Sequence, residues 1–143
     1  MNVAEVDQKE VLTVKTENVI QIPLGLLGFE GIKRFVLLSD PDEAPFSWLQ
    51  VLDDPGLAFV VVSPLELLPD YQPDVSQDDA SFLKIEAPED ALIYAIATLH
   101  EKGQATLNLK GPIVINRQTL VGKQVVLANA PAYSVRHLLA LQA

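Results

Sequence analysis

Residues 11–15 alternate strictly, with Leu12 and Val14 on one side and Thr13 and Lys15 on the other. Ile20 and Ile22 repeat the step. Period-two alternation with β-branched residues is the mark of a half-buried strand. Short strands are predicted next at residues 35–38, 46–51 and 58–62. Pro41, Pro45, Asp54-Pro55-Gly56 and Ser63-Pro64 separate them. Those prolines limit how far each strand runs inward in a sheet. Residues 65–79 carry two prolines and four aspartates with little periodicity, and read as a long loop. A short helix is predicted over residues 78–84.

The second half of the chain is the more regular. Residues 92–99 are apolar on both faces, as in a central strand. Glu89 and Asp90 would also suit the first turn of a helix. The β-branched content and the segment that follows favour the strand. That segment is the turn His100-Glu-Lys-Gly103, then residues 104–110, where Ala105, Leu107 and Leu109 face one way and Thr106, Asn108 and Lys110 the other. Together they predict a β-hairpin. Residues 112–116 and 122–127 make a further pair around Asn116-Arg-Gln-Thr. The tail, 133–141, reads as a short helix or a frayed end. Many short strands with close turn signals, no repeat and no linker predict one domain over residues 1–143. Its class is all-β (mainly β), a compact barrel-like fold of short antiparallel strands with one or two short helices.

Hydrophobic residues make up 49% of the 143, too apolar for a disordered regulator. The longest strongly apolar run, residues 57–62, falls far short of the ~20 residues of a spanning helix. The opening MNVAEVDQKE is polar and acidic, unlike a secretory signal. Cysteine is absent, so disulfides and thiolate metal sites are excluded. A cytoplasmic location is expected, with no membrane partner.

Charge changes the picture more than composition does. The formal net charge is −9. Residues 40–90 hold thirteen acids and one base, Lys84, whereas residues 101–143 hold one acid and five bases. Such polarity either keeps an apolar domain in solution or presents an acidic face to a basic partner. It also disfavours direct nucleic-acid binding. The aromatics Phe46, Trp48, Phe59 and Tyr71 all lie in the stretch that would repel phosphate. Trp48 and the phenylalanines are expected mostly in the core.

No catalytic motif emerges. There is no G-x-S-x-G elbow, and His100 and His137, the only histidines, flank a turn and the C-terminus. No H-E-x-x-H occurs, and Pro73 interrupts the four-residue spacing of Asp70, Asp74 and Asp78. Gly25, Gly28 and Gly31 do not match G-x-G-x-x-G and read as turn positions with positive φ. No metal and no cofactor are expected.

The residues themselves suggest a family. Gly25-Leu-Leu-Gly-Phe-Glu30, Phe35-Val-Leu-Leu38 and Pro45-Phe-Ser-Trp-Leu-Gln50 resemble the opening of FliW proteins. Leu57-Ala-Phe59, Ser63-Pro64 and Tyr71 continue the likeness. Its strongest piece is Ala105-Thr-Leu-Asn-Leu-Lys-Gly-Pro-Ile-Val-Ile-Asn116. Gly122-Lys-Gln-Val-Val-Leu127 and Tyr133-Ser-Val-Arg-His137 complete it. Gly111 stands where the family often has Ala. The resemblance implies a non-enzymatic cytoplasmic flagellar assembly factor, a monomer when free, with two alternative protein partners. These are flagellin and CsrA, an RNA-binding repressor of flagellin message that the protein would hold off its RNA. Expected contact residues are Asp70, Tyr71 and Asp74 in the acidic loop, with Asn108, Leu109, Pro112, Ile113 and Val114 at a proline-marked edge. Leu109, Ile113 and Val114 would serve equally well as core. The rival readings are a β-barrel that binds a small molecule in an enclosed apolar cavity, a hydrolase with polar groups converging on a histidine, and a self-assembling structural subunit.

Overall fold

The computed structural model describes residues 18–140. The strand expected over residues 11–15 lies outside them. Among the described residues nine strands form one antiparallel sheet: β1 (Ile20–Gln21), β2 (Arg34–Ser39), β3 (Phe46–Val51), β4 (Ala58–Val62), β5 (Ala91–His100), β6 (Gln104–Leu107), β7 (Ile113–Asn116), β8 (Gly122–Gln124) and β9 (His137–Ala140). Two short helices, α1 (Pro64–Leu67) and α2 (Gln77–Phe82), lie between β4 and β5. Helix α2 starts where Ser76 accepts the Asp79 amide hydrogen, a side-chain N-cap. The long loop expected over residues 65–79 is thus narrower, because both helices take part of it.

Among the described residues the order β1-β2-β3-β4-β5-β6-β9 is a path with two free ends, so the sheet is open rather than a closed barrel. It forks at β5. The first half of that ten-residue strand pairs with β7, Ala91 to Tyr94 opposite Asn116 to Ile113. Its last four residues pair with β6, Ala97 to His100 opposite Leu107 to Gln104. Strand β8 continues the branch from β7. A single parallel bridge from Gln21 to Val121 draws that branch toward β1 without making a ladder.

The hairpin of β5 and β6 turns through Lys102 and Gly103, both at positive φ. The tail departs from expectation. Residues 137–140 are neither helical nor frayed, because His137 and Leu138 pair with Leu107 and Thr106 of β6. A strand with an open edge supplies the partner that a lone C-terminal segment lacks.

Adjacent residues of β7 point to opposite faces, and both faces are buried. Ile113 and Ile115 pack with Ile22, Phe35, Leu49 and Val61. Val114 packs with Val62, Leu83, Ala95 and Leu107 in the second cluster. Burying a side chain such as Phe35 or Ile113 contributes about 2–3 kcal/mol. The expected edge character of residues 112–114 is therefore corrected. Strand β7 is flanked by β5 and β8, and Pro112 precedes it, with its carbonyl accepting from the Val125 amide at 2.9 Å.

Candidate functional site

The acidic loop is built from below. Tyr71 is buried, and its hydroxyl donates to the Leu109 carbonyl at 2.7 Å. Its ring meets Tyr133 edge-on at 4.8 Å between centroids. Burial, with Tyr133 close by, pushes the Tyr71 phenol well above its usual range. Tyr71 is thus the anchor of the loop rather than a contact on its surface.

The residues that follow it are held by the segment 128–133. The Tyr133 hydroxyl accepts the Gln72 amide hydrogen at 2.9 Å. Asn129 accepts from the Asp74 amide at 3.0 Å and donates to the Gln72 carbonyl at 2.8 Å. The Ala128 amide donates to the Asp74 carbonyl at 2.8 Å. With Gln72 and Asp74 tied in this way and Tyr71 buried beneath, the loop leaves Asp70 and Asp74 exposed on a fixed frame. Asn129→Ala is expected to free that frame. Hydrogen exchange at the Asp74 amide should rise about tenfold or more while the β7 amides stay protected. Unchanged exchange at Asp74 would show that Tyr71, Tyr133 and Ala128 hold the loop without Asn129.

The second group of expected contact residues divides. Leu109, Pro112, Ile113 and Val114 are buried, so their side chains are core. Asn108 is half-buried, and its side-chain oxygen accepts from the Lys110 and Gly111 amides at 3.2 and 3.0 Å. A β-carbon on Gly111 would lie 3.4 Å from the side-chain nitrogens of Asn108 and Gln124, a tight contact that two flexible amides can relieve.

A different surface went unmarked in the sequence. Leu24, Leu27, Val126 and Val135 are exposed together around a groove of about 390 Å³. The turn that carries Leu27 is pinned. Gly25, at φ +71°, lets the chain cross Glu30, whose backbone lies within 2.7 Å of where a β-carbon would stand. The Leu27 amide donates to the Gln124 side-chain oxygen at 2.8 Å, and the Gln124 side-chain nitrogen donates to the Gly111 carbonyl at 3.0 Å. The Glu30 carboxylate accepts the Gly28 amide hydrogen at 3.0 Å. That bond and one from its own amide hold its pKa below the usual value. Gly28 shares the positive φ, whereas Gly31 does not. The aromatics also divide: Phe35 is core, while Phe29 and Phe82 are exposed.

The rival readings meet specific geometry. His100 shares a 2.9 Å hydrogen bond with Thr106, and among the described residues no hydrogen bond or ion pair joins it to an acid. His137 lines a cleft with Asp70 and Ser134, but no hydrogen bond joins it to either, and the Ser134 hydroxyl oxygen accepts the Arg136 amide hydrogen. A cleft of about 950 Å³ between α2 and the first half of β5, with Leu65, Val75, Ile85 and Ile93 among its walls, is open to solvent rather than enclosed. Among the described residues no group of three or more His, Asp or Glu could hold a metal, and no helix is long and apolar enough to cross a membrane.

An open forked sheet, a pinned acidic loop and a pinned apolar turn define a small mainly-β protein whose distinctive groups lie on its surface. The family model described as FliW protein matches residues 4–139. The chain belongs to the FliW family. It is 38% identical to the flagellar assembly factor FliW of Clostridium beijerinckii over 120 residues, covering 83% of this chain and 85% of that one. It is 36% identical to that of Caldanaerobacter subterraneus over 129 residues, with 89% and 85% covered. The flagellar assembly factor FliW of Treponema denticola is 34% identical over 128 residues, with 89% and 86% covered. A crystal structure of the flagellar assembly factor FliW superposes with a TM-score of 0.77 at 34% identity, covering 87% of this chain and 86% of that one.

Proposed function

We propose that this protein is a cytoplasmic flagellar assembly factor that works by protein contact, without a catalytic step. It binds flagellin, and it binds the translational regulator CsrA so that CsrA releases flagellin mRNA. The observation that carries this reading is the pinned loop that exposes Asp70 and Asp74 in a chain of net charge −9. A protein that binds RNA must offer a basic surface. An acidic partner on a fixed frame attracts that surface and repels the phosphates beside it. Flagellin that occupies the assembly factor leaves CsrA free to bind message, and export of flagellin reverses this.

The double charge reversal Asp70→Lys/Asp74→Lys tests the reading. Affinity for purified CsrA should fall about tenfold or more, mostly through slower association, with a weaker dependence on salt. Both side chains are exposed, so folding should be unaffected. Unchanged association kinetics would remove electrostatic exclusion through this loop.

A further inference from the structure

We infer that the cleft between α2 and the first half of β5 receives an extended, basic strand of a partner polypeptide, added to the edge of β5 that β4 leaves uncovered. The inference is independent of the two-partner reading above, since an open edge and a cleft carry it. Along residues 91–94 strand β5 pairs with β7, while β4 reaches it only at Ala95 and Ile96. The Asp90 carbonyl accepts from the Arg117 amide at 2.8 Å, and the Ile96 carbonyl from the Asn108 amide at 3.0 Å. Even-numbered residues therefore turn their backbone groups to the β6–β7 side, and Ala91 and Ile93 turn theirs to the β4 side.

On that side Val62 stands opposite Ala95, and two residues later the chain enters α1 at Pro64. Proline has no amide hydrogen to give a ladder, so β4 stops there. Among the described residues no strand pairs with Ile93 on this side. The Ala91 amide is taken by the Pro88 carbonyl, so Ile93 offers the next donor and acceptor along the edge. Leu65 of α1 lines the cleft together with Ala91 and Ile93, which places the cleft on the uncovered side. Val75, Ile85 and Val114 add apolar wall to its volume of about 950 Å³. An open edge beside an apolar floor is what takes an added strand. Backbone hydrogen bonds then hold the main chain, and alternate side chains enter the cleft.

Charge selects the strand. Lys84 and Glu86 line the cleft and offset each other. Glu66, Asp74, Asp78 and Glu89 adjoin lining residues in sequence and are exposed. Asp79 is paired with Lys123, and Asp90 accepts the Ala87 amide hydrogen. Arg117 also reaches the rim, donating to the Glu89 carbonyl at 3.1 Å. Carboxylates thus outnumber bases around the cleft. A strand with apolar side chains at alternate positions and Lys or Arg between them sets the first on the floor and the second against the rim. A second copy of this chain would bring its own net charge of −9 to an acidic rim.

The test titrates the full chain with a blocked peptide of alternating valine and lysine. Its controls are the same peptide with glutamate for lysine, and with backbone N-methylation at valine. The valine–lysine peptide should bind, and exchange at the Ile93 amide should slow about tenfold or more while the β7 amides keep their protection. Leu65→Asp should weaken binding about tenfold. Glu66→Lys/Glu86→Lys should weaken it more at low salt than at high. These side chains are exposed, and matching circular dichroism and Tm exclude misfolding. No binding by the wild-type chain, or equal binding of either control peptide, would overturn the inference. So would binding gained only in Leu12→Asp/Val14→Asp, since residues 11–15 of this chain would then be the occupant. A wild-type dimer in sedimentation that Leu65→Asp abolishes would overturn it in favour of a second copy.

Discussion

Gly25→Ala should destabilise the protein by about 3 kcal/mol or more, lowering Tm by roughly 10 °C. Two costs add. At φ +71° an L side chain is strained by about 1 kcal/mol. Its β-carbon would also stand 2.5–2.7 Å from the Cα, carbonyl carbon and oxygen of Glu30, backbone atoms that cannot swing aside. Gly28 provides the internal comparison. Its φ is +87°, but nothing lies within 4 Å of an added β-carbon. Gly28→Ala should therefore cost only the conformational part, about 1 kcal/mol. Thermal denaturation of the two variants side by side checks the argument. Equal losses would mean that the turn relaxes freely and the close crossing at Glu30 is unimportant.

Asn116→Ala should cost about 3 kcal/mol by a different route. The buried Asn116 side chain donates to the Leu83 and Lys84 carbonyls at 2.8 and 3.2 Å, and accepts from the Gln118 and Thr119 amides at 2.9 and 3.1 Å. One amide thereby fixes the end of α2 and the turn between β7 and β8. Both places hold a non-glycine residue at positive φ, Lys84 and Leu120. Each such position costs on the order of 1 kcal/mol and persists because the surroundings hold it. Alanine removes the hold and strands the carbonyl of the buried Leu83. Urea unfolding should show a lower midpoint with an unchanged m-value. A loss below about 1 kcal/mol would show that water replaces the amide at no great cost.

Much of the fold was legible along the chain. The alternation over residues 104–107, the Lys102-Gly103 turn and the apolar run of β5 each agree with the observed hairpin. The acidic loop was legible as charge density, and Asp70 and Asp74 are exposed as expected. Three readings needed the tertiary structure. Residues 137–140 carry too short a pattern to declare themselves a strand, and β6 supplies the edge that makes them one. Pro112 suggested an edge, but its carbonyl is paired with Val125 and the strand after it is interior. The anchor role of Tyr71 depends on Leu109 and Tyr133, far away in sequence.

The apolar groove is the plainest case. Leu26 and Leu27 are neighbours of one residue type, yet one is 1% exposed and the other 81%. Composition and periodicity treat them alike. Only the crossing at Gly25 and the clamp from Gln124, almost a hundred residues away, decide which one enters the core. By itself the sequence determined the strand class, the hairpin and the segregation of acid from base, because local propensity and charge are properties of neighbouring residues. The open fork of the sheet, the pinned frame of the loop and the groove were decided by the tertiary structure, because each is made by hydrogen bonds and packing between residues far apart in the chain.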